Sequence, residues 1–331
     1  MKNLLILLAL SFAMLSCEKT EEKPRTTDDG GNMILEDFFI TSIAFDHQGN
    51  AWIGTSQQGL IKYNSGEKTV YNASNSSMPQ EFIWDIAVDS KNNVWIGCDS
   101  ELVKYDGTTF TIYNSLNTPM PEDWVQSIAI DSRDNVWFSS SRFRKGGLVK
   151  YDGSQWTVFT PDNSDLPVNM VRSIVIDKND NVWIAANEMV TNSHLVRLSG
   201  NEWIDYSNTN FGFSPYYLGK IEINSQNIIC AIIDYSLSST FPPQGPQLFI
   251  FDGTSSKQIN YNSSTGIHSI AIDHKDNIWC GMDKGYAVYD GEKWTSGKAF
   301  LKDKHILVMK QAPDNNMWMG TGNGIAIVNE E

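Results

Sequence analysis

Ile83-Trp84-Asp85-Ile86-Ala87-Val88-Asp89, then Lys91-Asn92-Asn93, then Val94-Trp95-Ile96-Gly97 is the stretch on which the reading of this chain turns. Two runs rich in β-branched and aromatic residues flank a turn of Asx residues that accept positive φ, the chemistry of a hairpin and not of a helix. Leu102-Val103-Lys104-Tyr105, a turn at Asp106-Gly107 and Thr109-Phe110-Thr111-Ile112-Tyr113 follow at once. The unit is a meander of four short antiparallel strands.

Trp95 is one member of a series: Trp52, Trp95, Trp137, Trp183, Trp279 and Trp318, with Cys230 standing where a further tryptophan is due. The intervals are 43, 42, 46, 47, 49 and 39 residues, so one supersecondary unit is written seven times and its copies must stack to share a core. After residue 30 no sustained 3.6-residue apolar period occurs. Four-stranded units repeated around an axis leave only short, protected edges, and the fold expected is all-β, a seven-bladed β-propeller of four-stranded antiparallel blades. The last unit stops at Ile325-Ala326-Ile327-Val328-Asn329 without a fourth strand, while Asn32-Met33-Ile34-Leu35-Glu36 precedes the first full unit. Pairing these two segments would remove the last open edge. Asp46, Asp89, Asp131, Asp177 and Asp273 recur just before the first turn and are read as turn caps rather than metal ligands.

The segment Ile43-Ala44-Phe45-Asp46-His47-Gln48-Gly49-Asn50-Ala51-Trp52-Ile53-Gly54-Thr55, followed by Gly59-Leu60-Ile61-Lys62-Tyr63-Asn64, resembles the two-component regulator propeller repeat. The likeness runs over about residues 40 to 329 and is weakest in the fifth unit, where Asn224 and Cys230 replace the Asp and Trp. It implies the extracytoplasmic sensor portion of hybrid histidine kinases of Bacteroidota, whose inputs are often glycan fragments. No kinase, receiver or membrane-spanning segment follows the repeats in this sequence, so signalling through the same polypeptide is not expected.

The chain opens with Lys2, an apolar run from Leu4 to Leu15 and Ser16-Cys17. That run is short for a bilayer span and sits where a signal peptide's apolar region sits. Met14-Leu15-Ser16-Cys17 resembles a lipobox, which implies that Cys17 becomes a lipidated N-terminus holding the protein on the bacterial outer membrane, on its periplasmic or its outer side. The boundaries expected are a lipoprotein signal peptide at 1–16, a charged, Gly-rich flexible tether at 17–31 and the propeller at 32–331. A formal net charge of −14 repels phosphate backbones and makes nucleic acid a poor partner. Cys98, Cys230 and Cys280 fall in apolar strand contexts and are read as small buried hydrophobes ahead of a disulfide. No zinc-finger spacing is present, and neither metal nor cofactor is expected.

The spacing from the first-strand anchor to the tryptophan position is nine residues in every unit, whereas the spacing from there to the third strand stretches to 11, 12 and 18 in units 3, 4 and 5. Insertions gathered on one face of a repeat array mark its binding face. Of eleven tryptophans, six hold the repeat position and Trp156, Trp203 and Trp294 follow a turn glycine; Trp84 and Trp124 are left over. Both lead into blades from the elaborated face. Counting back four residues from each anchor gives a ring of Phe39, Phe82, Trp124, Met170, Tyr217, Gly266 and His305, and counting back two gives Thr41, Trp84, Gln126, Arg172, Gly219, His268 and Leu307. Trp84, Trp124, Phe82, Tyr217, Gln126, Arg172, His268 and His305 are therefore the binding residues expected at one mouth, with flat faces for sugar C–H surfaces and planar polar groups for hydroxyls. The competing reading is that these aromatics plug the channel. Inserted loops with Phe143 and Phe241 offer a protein-docking rim.

The function expected is a membrane-anchored, non-catalytic binding or sensor module for a glycan or a partner protein of the cell envelope, or else a purely architectural protein there. The rival is an enzyme. Streptogramin B lyase propellers carry a similar D-x-x-G-N-x-W repeat, and the resemblance implies a histidine base and a magnesium ion at the channel mouth. His268 and His305 stand in adjacent units, but no carboxylate accompanies His268 in the residues leading into its blade, and no catalytic residue is assigned.

Overall fold

The computed structural model describes residues 19–21, 25–26, 32–79, 82–142, 145–188, 193–207, 217–234, 247–261, 266–297 and 305–329. Its strands form seven antiparallel sheets and, among the described residues, no helix. This is the seven-bladed propeller, each blade a meander whose first strand lies innermost. No helix among the described residues is long and apolar enough to cross a membrane.

Closure runs through the N-terminal strand. Asn32–Ile34 pairs antiparallel with Gly324–Val328, opposing Asn32 to Ile327, Met33 to Ala326 and Ile34 to Ile325. Blade 7 thus takes its fourth strand from the opposite end of the chain. Within the stretch read as a flexible tether, Lys19–Glu21 pairs with Glu67–Tyr71 at the outer edge of blade 1 and Arg25–Thr26 with Asn32–Ile34. Outer edges present unpaired N–H and C=O groups, which any passing extended segment satisfies.

The repeated aspartates cap turns as expected, and each does one thing more. In blade 4, Asp177 Oδ1 accepts the backbone N–H groups of Asn179 and Asn181, both at 2.9 Å. Its Oδ2 accepts Asn181 Nδ2 at 2.8 Å and the indole N–H of Trp183 at 3.1 Å. Blades 1, 2, 3 and 6 repeat the carboxylate–indole bond at 2.8 to 3.2 Å. One carboxylate therefore joins the turn to the core, where a bare indole N–H would be costly. Blade 7 has Ala312 at the aspartate position, and Trp318 Nε1 is buried without a partner.

Blades meet closely because the Gly two residues after the repeat tryptophan leaves room. A Cβ on Gly54 would lie 2.6 Å from Ile83 Cγ2 of the next blade, and one on Gly320 would lie 2.6 Å from Ile40 Cγ2. Cys98, Cys230 and Cys280 are all buried, and Cys230 and Cys280 are free thiols. Burial pushes the Cys230 thiol up to about 12, so it is an inert hydrophobe.

Candidate functional site

The ring found by counting back two residues has a structural cause. In blades 1, 2, 4, 6 and 7 the pairing of first and second strands slips at one residue: Thr41, Trp84, Arg172, His268 and Leu307. These are β-bulges, which leave one residue unpaired and re-aim its side chain. All five line one cavity of about 370 Å³ at the mouth of the central channel, together with Phe39, Phe82, Gln126 and Gly219.

The expected residues separate as follows. Phe82, Trp84, Gln126, Arg172 and His268 share that lining. Phe82 and Trp84 have ring centroids 4.3 Å apart, and Trp84 and Trp124 are 5.3 Å apart. Trp124 does not line the cavity itself; it extends the aromatic row, with the Arg142 guanidinium 5.8 Å from its ring centroid. The Trp124 indole N–H is buried without a hydrogen-bond partner. Arg172 Nη1 donates to Gln126 Oε1 at 3.1 Å, which fixes two planar polar groups side by side. His305 stands at the rim next to His268, ring centroids 4.4 Å apart. Tyr217 begins the strand Tyr217–Ile223, but its side chain lies outside the described residues, as do Cys17, Phe143 and Phe241.

Two carboxylates at the mouth escaped the sequence reading. Trp84 Nε1 donates to Asp99 Oδ1 at 2.7 Å, and His268 Nε2 lies 2.7 Å from Asp283 Oδ1. Asp99 and Asp283 each stand four residues after the repeat tryptophan of their blade, Trp95 and Trp279, so the same bulge-to-turn contact is made twice. His268 therefore does have a carboxylate beside it, supplied by the hairpin turn and not by the residues before the first strand. Burial, reinforced by the neighbouring His268, holds the His305 imidazole below its ordinary value, with Asp283 opposing. Deeper in the channel, burial holds the Asp85 carboxyl above the ordinary range against the pull of Lys220 and of the N–H groups of Ile128 and Ile86. Asp85 Oδ2 accepts the Ile128 N–H of blade 3 at 2.8 Å, a blade-to-blade tie that Ser127 Oγ repeats with Ile174 N–H at 3.0 Å. Asp85 is thus held by structure.

One further constellation looks hydrolytic and is not. His194 Nδ1 lies 2.8 Å from Asp205 Oδ2 and 3.1 Å from Ser207 Oγ. A working triad places acid and nucleophile on opposite ring nitrogens, whereas here both contact the same one.

With this geometry in place, comparisons with known proteins concern the fold and its repeat. The extracellular domain described as that of a hybrid two component system from B. thetaiotaomicron superposes with a TM-score of 0.69 at 18% identity, over 89% of this chain and 39% of that one. A second such domain from the same organism gives 0.65 at 17%, over 88% and 38%. The chain thus spans less than two fifths of either. Virginiamycin B lyase from Staphylococcus aureus gives 0.68 at 10% identity, over 94% of this chain and 97% of that one. No curated protein sequence matches. Residues 35–57, 77–100 and 165–188 match the family described as two component regulator propeller, so three of the seven units carry the repeat that the tryptophan series announced.

Proposed function

We propose that this chain is an extracytoplasmic, lipid-anchored recognition module that binds a glycan at the channel mouth without transforming it. The observation that carries this reading is the row Phe82, Trp84 and Trp124 beside the Gln126–Arg172 pair, on a cavity of about 370 Å³. Apolar faces next to planar hydrogen-bonding groups fit a sugar, which offers C–H patches on its faces and hydroxyls on its edge. Likeness of fold to extracellular sensor domains and the Met14-Leu15-Ser16-Cys17 leader support the location.

An array of bacterial, plant and host oligosaccharides tests the reading. Removing one stacking aromatic costs about 1 to 3 kcal/mol of binding, so Trp84→Ala is expected to weaken the captured glycan roughly 5- to 150-fold. The side chain is half-buried at a mouth, so most of the folding stability should remain. An array without a hit, with a peptide or envelope protein retained on the same face, would replace the glycan by a protein ligand. Trp84→Ala and Trp124→Ala proteins that lose 3 to 5 kcal/mol of stability, the range for a buried tryptophan, with unchanged binding would make the aromatics a plug.

The anchor has its own test. Wild-type protein expressed in its host should incorporate labelled fatty acid and sediment with membranes, and Cys17→Ser should abolish the label. Unlabelled wild type would mean cleavage by ordinary signal peptidase and release.

A further inference from the structure

We propose that His268, Asp283 and His305 form a binding site for Zn²⁺ or a similar divalent transition ion, at the rim of the central cavity and with an open coordination position facing it. Three separate elements bring the ligands together. His268 is the bulged residue of the strand Ile267–Ile272, thrown out of register between Ile267 and Ser269. Asp283 stands in the hairpin turn between Ile278–Met282 and Gly285–Tyr289. His305 immediately precedes the strand Ile306–Gln311 of the next blade. One candidate ligand atom from each lies within 4.8 Å of the others. Asp283 Oδ1 is 2.7 Å from His268 Nε2 and 3.8 Å from His305 Nδ1.

Ligand atoms at roughly 2.0 to 2.2 Å from a tetrahedral ion are about 3.3 to 3.6 Å apart. The two carboxylate–imidazole separations bracket that range and all three atoms lie within 4.8 Å of one another, so small side-chain rotations bring them to it, and the three side chains are 37 to 48% exposed. Both histidines offer a nitrogen to the same carboxylate oxygen, a convergence that one His–Asp pair would not need. The donor set decides the ion. Two imidazoles and one carboxylate suit Zn²⁺, Co²⁺, Ni²⁺ or Cu²⁺, whereas Mg²⁺ and Ca²⁺ call for oxygen. Three protein ligands leave a fourth position vacant, the arrangement of sites that hold an exchangeable water or a ligand oxygen. His268 lines the cavity, which directs that position toward whatever occupies it. This inference stands apart from the glycan reading, because it needs neither Trp84 nor Trp124.

The test is calorimetric titration of the full-length protein in detergent, stripped with chelator, using Zn²⁺ and Mg²⁺ separately, together with the visible spectrum of Co²⁺. One Zn²⁺ per chain is expected, with intense tetrahedral-type Co²⁺ bands. His268→Ala, Asp283→Asn and His305→Ala should each weaken Zn²⁺ at least about tenfold, while His274→Ala, on a turn at the far end of blade 6, should not. Thermal melts of the apo variants within a few degrees of wild type would establish that they fold. If a single variant fails to fold, the remaining two decide. Absence of Zn²⁺ binding, a Zn²⁺ affinity that none of the three changes, or binding of Mg²⁺ in preference to Zn²⁺ would overturn the proposal.

Discussion

Deleting residues 18 to 35 is expected to lower the melting temperature by roughly 10 °C, while deleting 18 to 30 should shift it by only a few degrees. The longer deletion removes Met33, Ile34 and Leu35, which are 6%, 1% and 0% exposed. At about 1.5 to 3 kcal/mol for each buried apolar side chain, the loss is about 5 to 9 kcal/mol, and each kcal/mol moves the midpoint of a domain of about 300 residues by about 1.5 °C. Ile34 and Leu35 lie in the core shared by blades 7 and 1, with Ile40, Ile53 and Trp318, so the seam loosens along with the blade. Among the described residues, the shorter deletion takes the peripheral strands Lys19–Glu21 and Arg25–Thr26. Circular dichroism melts of the two proteins decide, and equal midpoints would mean that Asn32–Ile34 does not close the ring.

The second large effect is at the carboxylate–indole joints. Asp177→Ala strands the Trp183 and Asn181 side-chain donors and two turn N–H groups, an expected loss of about 2 to 4 kcal/mol. Ala312→Asp does the reverse by giving buried Trp318 Nε1 an acceptor, and should add about 1 kcal/mol. Acid supplies an independent check. Burial alone would raise the Asp177 carboxyl, but the hydrogen bonds from Asn181, Trp183 and Asn179 outweigh it and hold the group below its ordinary value; Asp46 behaves alike. A depressed folded-state pKa adds stability that is fully present above the unfolded value near 4 and is lost as pH falls toward the folded one. The gap between wild type and Asp177→Ala should therefore be constant at neutral pH and narrow below about pH 4. A gap that does not change with pH would assign the loss to packing alone.

The repeat was legible because its physics is local: Asx turns, alternating strands and a tryptophan every forty-odd residues are all written along the chain. Trp84 and Trp124 stood out by subtraction, as the tryptophans that the repeat leaves unexplained. Asp99 and Asp283 did not, because their meeting with Trp84 and His268 depends on a bulge that shifts the first strand by one residue, and a bulge leaves no residue type of its own. The signal was present as a carboxylate four residues past the repeat tryptophan, visible only once the bulged residue is known to face that turn. Trp318 shows the limit from the other side. Ala312 in place of aspartate is plain in the sequence, but that it leaves an indole N–H buried and alone follows only from the packing.

The turns at the far ends of the blades fasten each blade to its successor. The backbone N–H of His47 donates to Asn92 of blade 2, Ser90 to Asp134, Ser132 to Asp180, Lys178 to Asn227 and Ser225 to Asp276, each acceptor three residues before its blade's repeat position, and His274 donates instead to Gln311, four residues before the corresponding position of blade 7. From blade 7 to blade 1 this fastening is chemically impossible: the donor position is Pro313, which has no N–H, and the acceptor position is Gly49, which has no side chain. Both halves of the missing bond are absent together, at the one junction that joins the two ends of the chain. During synthesis the first six junctions can lock in the order in which their blades emerge, whereas the seventh must wait for residues 325–327 to reach residues 32–34. The nascent protein is therefore an open arc that closes last, and the N-terminal strand is the latch.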